Sequence, residues 1–317
     1  MANNYSSFSK DNQITLLNND VINALDILPD DFFSLIVTSP PYNIGKEYEK
    51  DHKRTLDEYT TWLSNVIDKL VPKLKENGSL CWQIGNYVED NEVFPLDFYF
   101  YDIFKKKGLK LRNRIIWHFN FGLHAQKRFS GRYETLLWFT KSEDYKFNLD
   151  PVRIPQLYPG KRHSKKKGEK AGKPSGNPRG KNPTDYWEFS AEELFKSSGQ
   201  WEIPNVKSNH PEKTIHPCQF PVELVERCVL AFTEAGDNIL DPFVGTGTSV
   251  IAGIKHNRNV MGIDKDPKYI QIANDRITNY FAGTLQIRPI GKAVVKPNGK
   301  DKVASVPEEW KVLKSTG

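Results

Sequence analysis

Thr38-Ser39-Pro40-Pro41-Tyr42-Asn43, directly after the apolar run 32–37, joins a hydroxyl, two prolines and an aromatic ring. Proline fixes φ and carries no N–H, so this loop is stiff and its carbonyls are available as acceptors. The Ser39 hydroxyl adds an acceptor, and the Tyr42 ring adds a flat surface. Together they suit an exocyclic amino group on an aromatic ring stacked against Tyr42. The same six residues also fit an ordinary turn at a strand end.

A second group lies near the other end of the chain. Asn238-Ile239-Leu240 leads into Asp241-Pro242-Phe243-Val244-Gly245-Thr246-Gly247-Thr248, and a helical stretch, 249–254, follows. Strand, glycine-rich turn and helix in that order let a backbone approach a ligand closely at the end of a parallel strand. The next apolar run, 259–264, ends in Asp264. A carboxylate about 20 residues beyond the glycines is where such folds hold ribose hydroxyls.

The 241–248 stretch resembles the S-adenosylmethionine-binding motif of DNA amino-methyltransferases, and Thr38-Ser39-Pro40-Pro41-Tyr42 resembles their catalytic motif. The catalytic motif precedes the cofactor motif by about 200 residues, an order similar to the β class of N4-cytosine and N6-adenine enzymes. The segment His216-Pro217-Cys218-Gln219-Phe220-Pro221-Val222-Glu223-Leu224 looks like the family's lead into its cofactor strand. The resemblance implies an S-adenosylmethionine-dependent methyltransferase fold with permuted motif order. It further implies a double-stranded DNA substrate and, in some systems, a cognate restriction endonuclease. It places Ser39, Pro40, Pro41 and Tyr42 at the catalytic centre. Asp241, Pro242, Phe243, Gly245, Gly247, Thr248 and Asp264 would meet the cofactor, joined by His216 and Gln219. No metal is required.

An exocyclic amine is a poor nucleophile because its lone pair is delocalised into the ring. Acceptors on its protons, Ser39 and the Pro40 carbonyl, would favour a pyramidal nitrogen aimed at the sulfonium methyl, so catalysis is positioning and electrostatics. The base must leave the duplex to be reached, and Tyr42 would stack on it. Serine at position 39 leans toward cytosine N4 by family habit; adenine N6 is the alternative, since either amine meets an acceptor there. Other readings stay open. Asp241 and Asp264 also fit helix caps, as do His216 and Gln219. Pro217-Cys218-Gln219 is a local signature of C5-cytosine methylation by a thiolate, although the motif order argues against it. A non-catalytic nucleic-acid-binding module and an RNA or protein methyltransferase are further classes.

The chain has 317 residues, 38% hydrophobic and 12% aromatic, enough for one large α/β core. No apolar run is long enough to span a bilayer and no secretory leader is visible, so a cytoplasmic protein is expected. Cys81, Cys218 and Cys228 have neither zinc spacing nor a disulfide framework. The charge is local: from Arg153 to Lys181 ten lysines and arginines face one acid, a net +9, whereas the whole chain is +6. Lys161, Arg162, Lys165, Lys166 and Lys167 form its centre. Glycines and prolines break the run, so it is a loop, suited to phosphates. Lys127, Arg128 and Arg132, in the linker after the strand at 114–119, are further candidates for DNA contact.

Periodicity predicts strands at 13–17, 32–37, 79–85, 114–119, 133–139, 238–240 and 259–264. Helices are expected at 56–74 (ended by Asn77-Gly78), 96–107, 222–232 and 267–281. This alternation predicts a doubly wound, mostly parallel sheet with ligands at the carboxyl ends of its strands. Residues 1–150 would form the catalytic half and 151–210 a basic, loop-rich target-recognition insertion. Residues 211–291 would form the cofactor half, and 292–317 a polar tail.

Overall fold

Ten strands and six helices alternate along the residues that the computed structural model describes, 13–43, 54–119, 124–156, 158–164, 168–188, 203–207 and 210–292. They run β1 (Ile14–Asn18), α1 (Val21–Asp26), β2 (Phe33–Thr38), α2 (Leu56–Leu70), β3 (Leu74–Ile84), β4 (Asn86–Glu89), β5 (Glu92–Pro95) and α3 (Leu96–Lys106). Then follow β6 (Lys110–His118), β7 (Tyr133–Thr140), β8 (Tyr186–Glu188), α4 (Val222–Phe232), β9 (Asn238–Asp241), α5 (Thr248–Ile254), β10 (Asn259–Asp264) and α6 (Pro267–Phe281). Eight strands form one sheet in the order β1-β10-β9-β2-β3-β7-β6-β8, with β7 antiparallel to both neighbours and every other pair parallel. β4 and β5 form a separate hairpin.

The sheet is buried on both faces, as parallel strands require. Alternation along β2 sends Leu35 and Val37 to one side and Ile36 to the other. The first side packs on α4, α5 and α6 through Val225, Val229, Val250, Ile254, Ala273 and Ile277. The second packs on α1, α2 and α3 through Leu25, Leu63, Ile67, Phe100 and Phe104. This is the doubly wound, mostly parallel α/β architecture expected from the pattern.

Local rules explain the boundaries. Thr55 and Glu58 form a reciprocal capping box that starts α2. That helix stops at Leu70, earlier than the periodicity suggested, because Pro72 lacks the N–H a helix needs and the chain tightens into a 3-10 turn, Val71–Lys73. Asn77-Gly78 does not terminate the helix; it sits within β3, where the pairing with β2 jumps from Leu74 to Ser79. The β4–β5 hairpin was not foreseen. Its turn holds Asp90 and Asn91 at φ 48 and 66, the left-handed pair that a two-residue turn demands.

The described part of the basic stretch carries two isolated bridges. Ile154 bridges Lys181 and Arg162 bridges Pro174, both antiparallel. The three residues of β8 extend the sheet beside β6.

Candidate active site

β2 and β9 are parallel neighbours, Leu35 beside Ile239 and Ile36 beside Leu240, so their carboxyl ends emerge together. A strut joins them: the Thr38 hydroxyl donates to Asp241 Oδ1 at 2.6 Å. Asp241 also accepts from the Ser249 hydroxyl at 2.6 Å and the Phe243 N–H at 3.1 Å. It is fully buried, and desolvation pushes its carboxyl up to about 6. The residues past these two tips enclose one cavity, with Ser39, Pro40, Pro41 and Tyr42 on one wall and Pro242, Phe243, Gly245 and Thr248 on another. His216, Gln219 and Asp264 complete its rim.

Two expected cofactor contacts fall behind that wall. Asp241 and Gly247 do not line the cavity. Asp241 holds strand tip to helix. Gly247, at φ 77, lets α6 come close, since a Cβ there would lie 2.9 Å from the Ala273 Cβ. Gly245, at φ 49, does face the cavity, and its N–H donates to Asp264 Oδ2 at 3.0 Å. The other Asp264 oxygen accepts from the Asp266 N–H at 2.9 Å. Burial raises this carboxyl to about 6. Each carboxylate oxygen has a second lone-pair direction, so Asp264 can still take hydroxyl donors. Asp266, not Asp264, is the N-cap of α6.

Beneath the glycine-rich turn, the buried Arg276 donates to the Thr246 carbonyl at 2.6 Å and the Thr248 hydroxyl at 3.2 Å. His216 is neutral at pH 7: burial lowers it to about 4, and its Nδ1 accepts from the Cys218 N–H. Its ring meets Tyr269 edge-on at 4.7 Å. Gln219 accepts from Thr214 through Oε1 and donates through Nε2 to the Glu212 carbonyl. Its amide therefore braces the segment as well as facing the cavity.

On the other wall, the Tyr59 hydroxyl donates to the Pro41 carbonyl at 2.6 Å. Asn43, at φ 58, grips Arg54 by its backbone N–H and carbonyl, which fixes the end of the loop. The Ser39 hydroxyl donates to the Tyr42 oxygen at 3.0 Å, and the Tyr42 hydroxyl lies 2.7 Å from Gln83 Oε1 and 3.3 Å from Glu134 Oε2. Gln83 Nε2 in turn donates to Glu134 Oε2. Burial pushes Glu134 up to about 7, although bonds from Gln83 and Tyr42 and the Lys207 charge pull it down. Gln83, Glu134, Tyr59 and Arg276 escaped the sequence reading. A signal existed for two of them: Gln83 and Glu134 are polar residues flanking the apolar runs of their strands.

β6 is parallel in sense to β3, because both oppose β7. The β6–β7 loop therefore rises at the cavity end of the sheet, carrying Lys127, Arg128 and Arg132. Lys127 is exposed, as are Lys161 and Arg162. Lys165, Lys166 and Lys167 lie outside the described residues.

The model of the DNA methylase family, which spans N6 and N4 enzymes, matches residues 33–275. The chain belongs to that DNA amino-methyltransferase family. A relative from Bacillus subtilis, Type II methyltransferase M.BglII, is 45% identical over 84% of this chain and 70% of its own length. Among solved structures, the cytosine-N4-specific PvuII DNA methyltransferase superposes with a TM-score of 0.60 at 18% identity, covering 88% of this chain and 96% of that one. A Thermus thermophilus protein solved in complex with S-adenosyl-L-methionine gives 0.56 at 23% identity, covering 84% and 92%. Membership of the amino-methyltransferase family removes the C5 alternative raised by Pro217-Cys218-Gln219, although Cys218 itself lines the cavity. Among the described residues no cluster of candidate metal ligands occurs, and no helix is long and apolar enough to cross a membrane.

Proposed function

We propose that this chain transfers the methyl group of S-adenosylmethionine to the N4 amino group of a cytosine flipped out of double-stranded DNA. The observation that carries this reading is the Thr38–Asp241 strut, which holds two motifs 203 positions apart against one cavity. The cavity fits the cofactor: Gly245 leaves bare backbone at its floor, Asp264 offers a carboxylate for hydroxyl groups, and Pro242 and Phe243 give apolar walls. When bound, the cofactor supplies an electrophilic methyl carbon. Ser39 and the Pro40 carbonyl accept from the target amine, and Tyr42 stacks on the ring. Tyr59, by holding the Pro41 carbonyl, stiffens the loop that presents these acceptors.

Lys127, Arg128 and Arg132, together with Lys161, Arg162 and the lysines 165–167, serve as phosphate contacts. They supply affinity without sequence information. Residues 151–210 act as the target-recognition insertion between the catalytic and cofactor halves. The likeness to Type II methyltransferases such as M.BglII supports a modification role of the restriction-modification type, exercised in the cytoplasm. Incubation with methyl-labelled S-adenosylmethionine and, in parallel, duplex DNA or RNA, then nucleoside mass spectrometry, tests the reading. N4-methylcytosine is expected; N6-methyladenine would move the target to the other family base, and label confined to RNA would reject DNA as substrate.

A further inference from the structure

Methyl transfer to an amine leaves the nitrogen with one proton too many. As nitrogen bonds the methyl carbon, the carbon–sulfur bond breaks with its electron pair on sulfur, and an N–H bond must then break to restore a neutral amine. We propose that this proton ends on Glu134, passed along the Ser39 and Tyr42 hydroxyls. The inference rests on the amino-methyltransferase reading given above.

The geometry has the required direction. Ser39, which would accept the amine proton, donates its own to the Tyr42 oxygen at 3.0 Å. Tyr42 holds one proton between two acceptors, Gln83 Oε1 at 2.7 Å and Glu134 Oε2 at 3.3 Å. Gln83 cannot keep a proton; Glu134 can. When the Tyr42 proton moves to the carboxylate, the Ser39 proton replaces it on tyrosine and the amine proton replaces that on serine. The sulfonium's positive charge and the carboxylate's negative charge both disappear, so the transfer balances in a site of low dielectric.

The surroundings suit a group that must take and release a proton near neutrality. Glu134 is the second residue of β7, pairs with the neutral Trp117 of β6, and is half-buried. Gln83 and Tyr42 face it from β3 and the catalytic loop, and Lys207 is the cation acting on it. Burial has already moved it to about 7, against those three influences.

Glu134→Gln keeps the volume and the bond to Tyr42 but cannot accept a proton. At saturating cofactor and DNA, the wild-type single-turnover rate should rise with pH through about 7 and level off above it. Glu134→Gln should lose that limb and fall about 100-fold at high pH, within the range of a lost general base, while cofactor and DNA dissociation constants stay unchanged. Glu134→Asp should keep a limb, and Tyr42→Phe, which retains the ring but breaks the path, should match Glu134→Gln. Independently of turnover, ¹³C-glutamate NMR of the free enzyme should show one carboxyl titrating near 7 that vanishes in Glu134→Gln. A Glu134→Gln or Tyr42→Phe enzyme that keeps both rate and pH limb overturns the relay. Failure of the wild type to methylate DNA at all would instead strike the function it rests on.

Discussion

Asp264 shows how burial and chemistry meet in one side chain. Its carboxyl sits at about 6 rather than 3.8 because desolvation outweighs the bonds from the Asp266 and Gly245 N–H groups. Only the ionised form accepts two further hydroxyl donors well, so S-adenosylmethionine affinity should strengthen as pH rises through about 6 and then level off. Calorimetric titration across that range checks this, and Asp264→Ala should bind about 10-fold or more weakly with the pH dependence gone. Asp241 carries the opposite lesson for stability. Folding raises its carboxyl to about 6, so its contribution is greatest below its ordinary value and is lost as pH rises through the raised one. Thr38→Val removes one of its donors and should cost about 1–3 kcal/mol in denaturant unfolding, more above pH 6 than below. Residue types alone singled out Ser39, Tyr42 and Asp264, and all three line the cavity. They did not reveal which side of the wall Asp241 faces, because a carboxylate at a strand end caps, braces or binds with equal chemical ease.

At the scale of elements, the glycine-rich turn is set as much by α6 as by its own residues. Gly247 combines a positive φ with an Ala273 contact that admits no Cβ, and Arg276 holds the Thr246 carbonyl from below. Gly247→Ala should therefore destabilise the fold by more than the ~1 kcal/mol of an ordinary left-handed alanine, and weaken cofactor binding in parallel; thermal unfolding with and without cofactor reads both. Strong periodicity made the long elements legible: α2, α3, α4 and α6 all carry an apolar face that needs a partner. Short elements were not legible, because their cause lies in contacts. β8 has three residues and exists by pairing with β6. The β4–β5 hairpin turns on Asp90 and Asn91, whose left-handed backbone is tolerated rather than signalled. Pro72 was readable, and it should have outranked the apolar spacing that carried α2 on to Leu74.

Across the whole molecule, adjacency of β2 and β9 turns a linear sequence into a site. Periodicity gives strands but not their order; the order came from the resemblance between two motifs and a family, and the sheet agrees with it. The charge distribution likewise belongs to this scale. If the exposed Lys161 and Arg162 neutralise phosphates, replacing both with alanine should weaken DNA binding and flatten the dependence of log affinity on log salt by about two contacts' worth. Fluorescence anisotropy at several salt concentrations measures it, with methyl transfer at saturating DNA left intact.

Co-crystallisation with S-adenosylmethionine probes the central arrangement most directly. Ribose hydroxyls are expected on Asp264, and the sulfonium methyl turned toward Ser39 and Pro40, with room for an amino nitrogen about 3–3.5 Å away. A cofactor seated elsewhere, or one whose methyl faces away from Ser39, would contradict it.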